Sequence, residues 1–141
     1  MNLITPQTSA EGKLVRKVLV AEDVYYDGNS DRKEFYISVL LNRSSSKNMI
    51  VYSTEGAVDI EAVAENTPDL IFNEEIDPGI GILPFQARKI AFNLGLEGLS
   101  FKNMTKFVTS LYNAYSKSDA SLFEINPVLK ASDEKIIAVD S

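Results

Sequence analysis

The chain has 141 residues with a net charge of −6, and 45% of the residues are hydrophobic. This length and composition predict one domain with a hydrophobic core. The acidic excess argues against binding to nucleic acid or to an anionic membrane surface, because both require clustered Lys and Arg. The chain contains no Cys and no His, which excludes disulfides, thiolate sites and Ser–His or Cys–His dyads within it. No apolar run approaches the roughly 18 residues that a transmembrane helix requires.

The first third of the chain predicts an antiparallel meander of three strands. β-Branched and aromatic residues cluster at 17–24, 34–42 and 49–53, and polar turns separate these runs. The first connection contains Asp-Gly-Asn-Ser at 27–30, which is typical of a turn. We expect this turn to be exposed and mobile, because it is polar and has no apolar residue to anchor it.

The centre of the chain predicts a short helix followed by a strand. The helix is expected over residues 59–66, with Asp59 as its N-cap and Pro68 shortly after its end. The strand is expected over residues 70–76, and a loop follows it.

Two amphipathic helices come next. Pro84 suits a first helical turn and Gly95 fits a left-handed C-terminal cap. The apolar residues between them recur at helical spacing and are Ala87, Ile90, Ala91 and Leu94. Ser100 can cap a longer helix that reaches about residue 116. The expected buried face of this helix comprises Phe101, Met104, Val108, Leu111, Tyr112 and Tyr115.

Two more strands are expected, over residues 120–126 and 135–140. Pro127 lacks an N–H and is expected to end regular pairing of the first of them. Together these elements predict an α+β fold with a mostly antiparallel sheet and helices packed on it.

The last two strands also carry the chemically most informative residues. Alternation places Glu124 and Asn126 on one face of their strand. If residues 132–134 form the turn, Asn126 lies opposite Asp140, and opposite Cβ atoms in such a pair are roughly 4.5–5.5 Å apart. Oxygen-bearing side chains at that separation can share one hard cation such as Mg²⁺.

A second register is also compatible with the sequence. A turn of residues 133–134 alone would shift the pairing by one residue and place Asn126 opposite Ser141. A purely structural interpretation is equally compatible with the residues, because Asn before Pro is a turn former and Asp140 is a carboxylate at a strand end. The pattern alone therefore leaves both the register and the metal site open.

Several short motifs follow one another in a particular order. They are Ser-Thr-Glu-Gly at 53–56, Asp-Pro at 77–78, Pro-Phe-Gln-Ala-Arg at 84–88, Ala-Phe-Asn-Leu-Gly-Leu at 91–96, Glu-Ile-Asn-Pro at 124–127 and Ile-Ala-Val-Asp at 137–140. In this order they resemble the beta subunit of succinyl-CoA synthetase (succinate–CoA ligase), within the second lobe of its ATP-grasp module. The resemblance implies one domain over 1–141 that is a truncated lobe of that module. It would comprise a hinge-side strand in 1–24, an extended loop in 25–33, and the sheet and helices in 34–141.

The resemblance implies binding roles for five residues and a catalytic role for none. Asn126 and Asp140 would bind the Mg²⁺ that accompanies ATP or GTP. Ala21 and Val24 lie where the hinge between the lobes touches the adenine, and Glu34 would bind the nucleotide through its ribose. The chain departs from the family pattern in two ways: Ala21 stands where the family usually has Glu, and the loop that follows is a few residues longer than usual.

The resemblance also implies an enzymatic context. The complete enzyme would make succinyl-CoA from succinate, CoA and ATP or GTP, through a phosphohistidine on its alpha subunit. The partners would be that subunit and the nucleotide, with no nucleic acid and no membrane, in a bacterial cytoplasm or a mitochondrial matrix. The chain by itself is expected to be inactive. The alternatives are another acyl-CoA synthetase of the superfamily, such as malate–CoA ligase or ATP-citrate lyase, and a non-catalytic α+β interaction domain.

Overall fold

The computed structural model describes residues 2–4, 8, 10–58 and 60–141. Its strands are β1 (Asn2–Leu3), β2 (Lys13–Leu14), β3 (Lys33–Asn42), β4 (Lys47–Ser53), β5 (Ile71–Ile76), β6 (Leu122–Lys130) and β7 (Ile136–Ala138). Its helices are α1 (Ile60–Asn66), α2 (Pro84–Asn93) and α3 (Gly98–Lys117), and a 3₁₀ turn covers Pro68–Leu70. Among the described residues, no helix has the length and apolar character needed to span a membrane.

An antiparallel sheet with the strand order β5-β4-β3-β6-β7 forms the centre of the fold. The short strands β1 and β2 pair separately with each other. Strand β3 is central, and residues 35–39 within it are all buried. The core lies between this sheet and the helices α2 and α3. The predicted α+β class, with a mostly antiparallel sheet, is therefore confirmed.

The amphipathic helices pack as their spacing predicted. In α2 the four residues of the predicted stripe are at most 1% exposed, and Gly95 adopts a left-handed φ of +68°. In α3 the predicted apolar face is buried except for Phe101, which is half-buried. The short helix α1 is confirmed, although none of its described residues is buried and its predicted cap, Asp59, lies outside the described residues.

The start of α3 differs from the prediction. The helix begins at Gly98, so Ser100 lies inside the first turn and is not the cap. The Ser100 hydroxyl donates to the carbonyl of Glu97 at 2.8 Å, and its amide donates to Glu134 Oε2 at 3.2 Å. A carboxylate from a distant turn thus satisfies a free amide at the helix N-terminus.

The strand predicted over residues 17–24 is wrong, because this segment has no regular secondary structure. Val18, Leu19 and Val20 are 77%, 93% and 88% exposed. Strand propensity largely reflects packing against neighbouring strands, and in the described part of the chain no strand pairs with this segment. The segment is apolar, as the sequence shows, but it does not pair with a strand in the described part of the chain.

Strand β6 does not end at Pro127, which corrects another prediction. It continues to Lys130, and its register with β3 shifts between Phe35 and Ile37. Tyr36 alone therefore lies opposite the two residues Asn126 and Pro127. This is the arrangement of a β-bulge, a position where a sheet accepts a proline without losing a required hydrogen bond.

Candidate metal and nucleotide site

The β6–β7 hairpin brings Asn126 and Asp140 together. The pairs Val128–Ala138 and Lys130–Ile136 fix its register, and the Asn126 amide donates to the carbonyl oxygen of Asp140 at 3.2 Å. Of the two registers compatible with the sequence, the structure has the one with a turn of residues 132–134. Where Asn126 lies relative to Asp140 is thereby settled, whereas a metal ligand role for either residue stays a prediction.

The side chains at this end of the hairpin line a small open recess. Its volume is about 170 Å³, and its lining residues are Glu124, Asn126, Asp140 and Ser141. Glu124 shares a face of β6 with Asn126 and is not among the five predicted binding residues. The alternation of side chains along β6 was the signal that could have included it.

The side-chain amide of Asn126 is fixed by two hydrogen bonds to a distant loop. Its Oδ1 accepts the amide hydrogen of Ala57 at 2.8 Å, and its Nδ2 donates to the carbonyl oxygen of Val58 at 3.0 Å. These bonds set the orientation of the amide. A carbonyl oxygen has two lone pairs, so Oδ1 retains one with which it can bind a cation.

The loop that binds the Asn126 side chain also packs closely against the backbone of Glu34. A Cβ added to Gly56 would lie 2.5 Å from the carbonyl carbon of Glu34 and 2.5 Å from the nitrogen of Phe35. Only glycine permits this approach of the two backbones. Residues 56–58 therefore connect the start of β3 with Asn126 on β6, and the predicted nucleotide and metal residues share one support.

Glu34 is engaged by a tyrosine from the preceding loop. Its Oε1 accepts the hydroxyl hydrogen of Tyr25 at 2.6 Å. This hydrogen bond is the main cause that raises the pKa of Tyr25 to about 12. Sequence reasoning missed Tyr25, because no pattern distinguishes it from the neighbouring Tyr26.

Ala21 and Val24 lie in the irregular segment that precedes Tyr25. Ala21 is exposed and Val24 is half-buried. Through Tyr25 this segment is connected to Glu34. The proposed adenine contacts of Ala21 and Val24 stay predictions.

The donor atoms of the recess suit a hard cation. Two carboxylates and one amide oxygen line it, and Mg²⁺ prefers oxygen ligands and usually keeps positions for phosphate and water. The part of the chain that the structure describes contains no cluster of three or more His, Cys, Asp or Glu residues able to hold a metal.

Comparison with known proteins places the chain in a family. The ATP-grasp domain family matches residues 1–130. Proteins named succinate–CoA ligase (ADP-forming) subunit beta match all 141 residues, with 72% identity in Flavobacterium psychrophilum, 70% in Christiangramia forsetii and 50% in Pelodictyon phaeoclathratiforme. Each match covers 100% of this chain and 35% of the relative, so the chain spans about a third of the length of the curated relatives that it matches. The resemblance indicated by the motifs is confirmed.

Proposed function

The chain belongs to the ATP-grasp domain family, and from this premise we propose that it forms part of the nucleotide- and magnesium-binding site of a succinate–CoA ligase beta subunit. The observation that carries the proposal is the recess at the end of the β6–β7 hairpin, where Asn126 and Asp140 converge. Close relatives over the whole chain are named as beta subunits of this ligase.

The residues of the recess would hold the cation from two sides. Asp140 would contribute a negatively charged oxygen, and Asn126 a neutral oxygen whose position is fixed by Ala57 and Val58. When bound, Mg²⁺ would neutralise charge on the nucleotide phosphates. Since the amide is already oriented, little conformational entropy would be lost when it binds the cation.

The remaining predicted residues would bind the nucleoside. Glu34 would accept a hydrogen bond from a ribose hydroxyl, and Ala21 and Val24 would lie against the adenine. The relatives are named as ADP-forming, so we propose ATP rather than GTP as the nucleotide. The side chain of Ala21 has no polar atom, so its contribution would be a van der Waals contact with the base.

The whole reaction would require further parts. The complete enzyme would convert succinate, CoA and ATP into succinyl-CoA, with a phosphohistidine on an alpha subunit as the intermediate. This chain contains no His and spans 35% of its relatives, so it is expected to form no succinyl-CoA by itself. A bacterial cytoplasm is the proposed location, because the relatives are bacterial.

The proposal can be tested with ATP affinities measured in the presence and absence of Mg²⁺. The protein would be the full-length beta subunit that contains this segment, with the variants Asp140→Asn and Asp133→Asn. Asp133 is the matched control, because it is a carboxylate in the turn at the other end of the same hairpin. We expect Asp140→Asn to weaken Mg²⁺-dependent binding about tenfold, which corresponds to the loss of one charged contact, and Asp133→Asn to change nothing. Equal Mg²⁺-dependent affinities for wild type and Asp140→Asn would refute the metal assignment.

A further inference from the structure

Tyr25 is held in place at three points. Its amide donates to Asp23 Oδ1 at 2.8 Å, its carbonyl oxygen accepts a hydrogen bond from the guanidinium of Arg32, and its hydroxyl donates to Glu34 Oε1 at 2.6 Å. The residue nevertheless remains 40% exposed. Such a constrained yet exposed tyrosine is not explained by packing in the core.

The loop that carries Tyr25 is fastened to the turn of the β6–β7 hairpin. We call residues 25–32 the strap. The Ser30 amide donates to the carbonyl oxygen of Ser132 at 3.1 Å, and the Ser132 hydroxyl donates to the carbonyl oxygen of Tyr26 at 2.8 Å. A Cβ added to Gly28 would lie 2.4 Å from Ser132 Oγ. The strap and the turn are thus in direct contact.

A buried lysine strengthens this attachment. The Lys130 side chain is 9% exposed, and its Nζ donates to the carbonyl oxygen of Asp31 at 2.7 Å and to Ser30 Oγ at 2.9 Å. Nζ also pairs with Glu134 Oε1 at 3.2 Å. A buried ammonium requires hydrogen-bonding partners, and two partners of Lys130 belong to the strap, so Lys130 holds the strap in place.

The strap determines which oxygen of Glu34 is available to a ligand. A carboxylate has two oxygens, and a solvated carboxylate can accept hydrogen bonds on either of them in several orientations. The short hydrogen bond from Tyr25 uses one lone pair of Oε1, and bonds of this kind to a charged acceptor are the stronger ones. This bond leaves Oε2 with the greater capacity for a further donor, and it restricts the orientation of the carboxylate before a ligand arrives.

We propose that Tyr25 is a positioning residue for Glu34 and thereby a determinant of ribose recognition. Its phenol holds Oε1, the strap holds Tyr25, and Oε2 accepts the ribose hydroxyl. This inference rests on the proposed function, in which Glu34 binds the nucleotide. It adds Tyr25, and the strap that holds it, to the five predicted binding residues.

The test compares Tyr25→Phe with Tyr26→Phe in the full-length beta subunit. The two tyrosines are 40% and 38% exposed, and the hydroxyl of each bonds to a carboxylate, Glu34 for Tyr25 and Asp133 for Tyr26. Each variant loses one hydroxyl and keeps its ring. Dissociation constants for ATP and for 2′,3′-dideoxy-ATP are measured by calorimetry, and thermal unfolding is followed as a control for folding.

We expect Tyr25→Phe to weaken ATP binding about tenfold, the scale of one charge-assisted hydrogen bond. Binding of the dideoxy nucleotide should change little, so the preference for ribose falls. Tyr26→Phe should alter neither constant. In a Glu34→Gln background, Tyr25→Phe should add no further loss, because the two residues act as one unit.

Three results would overturn the proposal. An unchanged ribose preference in Tyr25→Phe would refute the positioning role while nucleotide binding itself stands. An equal loss for both nucleotides would assign Tyr25 a structural role only. Failure of the wild-type subunit to bind ATP would instead refute the proposed function, and the inference with it.

Discussion

The backbone amide of Asn126 donates to the carbonyl oxygen of Asp140 at 3.2 Å, just beyond the last paired residues of β7. This bond holds the two chain segments together where their side chains line one recess. The side chains of the two residues have different hydrogen-bond partners. Asn126 is bonded to the loop at Ala57 and Val58, whereas Asp140 Oδ1 accepts the amide hydrogen of its neighbour, Ser141, at 2.9 Å.

This difference predicts unequal effects on stability. Asn126→Ala removes two hydrogen bonds between β6 and the 56–58 loop, so the free energy of unfolding should fall by about 1–2 kcal/mol. Asp140→Ala removes an exposed carboxylate and should change it by less than about 0.5 kcal/mol. Urea denaturation of both variants measures the difference. Equal effects would mean that the contacts of Asn126 with the loop contribute nothing to stability.

Gly56 is predicted to be intolerant of any side chain. Gly56→Ala places a Cβ 2.5 Å from the backbone of Glu34, and the loop must shift away at a cost of about 1–3 kcal/mol. Gly79→Ala is the control, because the nearest atom to its Cβ would be a flexible carboxylate oxygen of Asp77 at 3.2 Å. Unfolding free energies of the two variants are compared. A Gly56→Ala protein as stable as Gly79→Ala would show that the loop does not pack on β3.

Glu134 is predicted to make stability depend on pH in the acid range. Hydrogen bonds from Ser30 and Ser100, together with Lys130, lower the pKa of Glu134 from 4.5 to about 2. A carboxyl whose pKa is lower in the folded state stabilises the fold fully above its unfolded pKa. That contribution disappears as the pH falls from 4.5 to about 2.

The measurement is the free energy of unfolding of wild type and Glu134→Gln as a function of pH. Wild type should be more stable by a constant amount above pH 4.5, and the difference should shrink between pH 4.5 and pH 2. Glu65→Gln, on the exposed surface of α1, serves as a control for charge removal. A difference that persists unchanged at pH 2 would show that the ionised form of Glu134 is not the stabilising one.

The strap is predicted to be ordered around Ser30. The amide of Ser30 donates to the carbonyl oxygen of Ser132 at 3.1 Å, so its hydrogen should exchange more slowly than that of the exposed Asn29. Lys130→Met removes the bonds to Ser30 and Asp31 and should accelerate that exchange. Residue-resolved hydrogen exchange measures both. If Ser30 and Asn29 exchange equally fast, the segment is as mobile as its composition suggested.

Local rules reduced the register of the β6–β7 hairpin to two alternatives, and the structure has the one in which residues 132–134 form the turn. Side-chain alternation and the length of the turn determine which residues lie opposite each other, and the turn of residues 132–134 places Asn126 near Asp140. The buried face of α2 was predictable for the same reason, because apolar spacing within one segment indicates a buried helical face. In both cases the information lies within a single segment.

Two of the contacts that the sequence does not reveal join residues far apart in the chain. Asn126 and Ala57 are 69 residues apart, and Lys130 and Ser30 are 100 apart. No spacing rule predicts such pairs. Residues 27–29 are exposed as predicted, and their mobility stays a prediction. The sequence does not reveal the polar hydrogen bonds that join Ser30 to Ser132 and Lys130.

We propose that Asn126 and Asp140 bind one cation together with a nucleotide. Anomalous diffraction from Mn²⁺, in crystals of the full-length beta subunit with a non-hydrolysable ATP analogue, locates that cation. We expect one anomalous peak within about 2.1 Å of both Asn126 Oδ1 and an Asp140 carboxylate oxygen, the distance typical of a hard cation and its oxygen ligands. A peak bound to the nucleotide phosphates but remote from both side chains would refute the shared site.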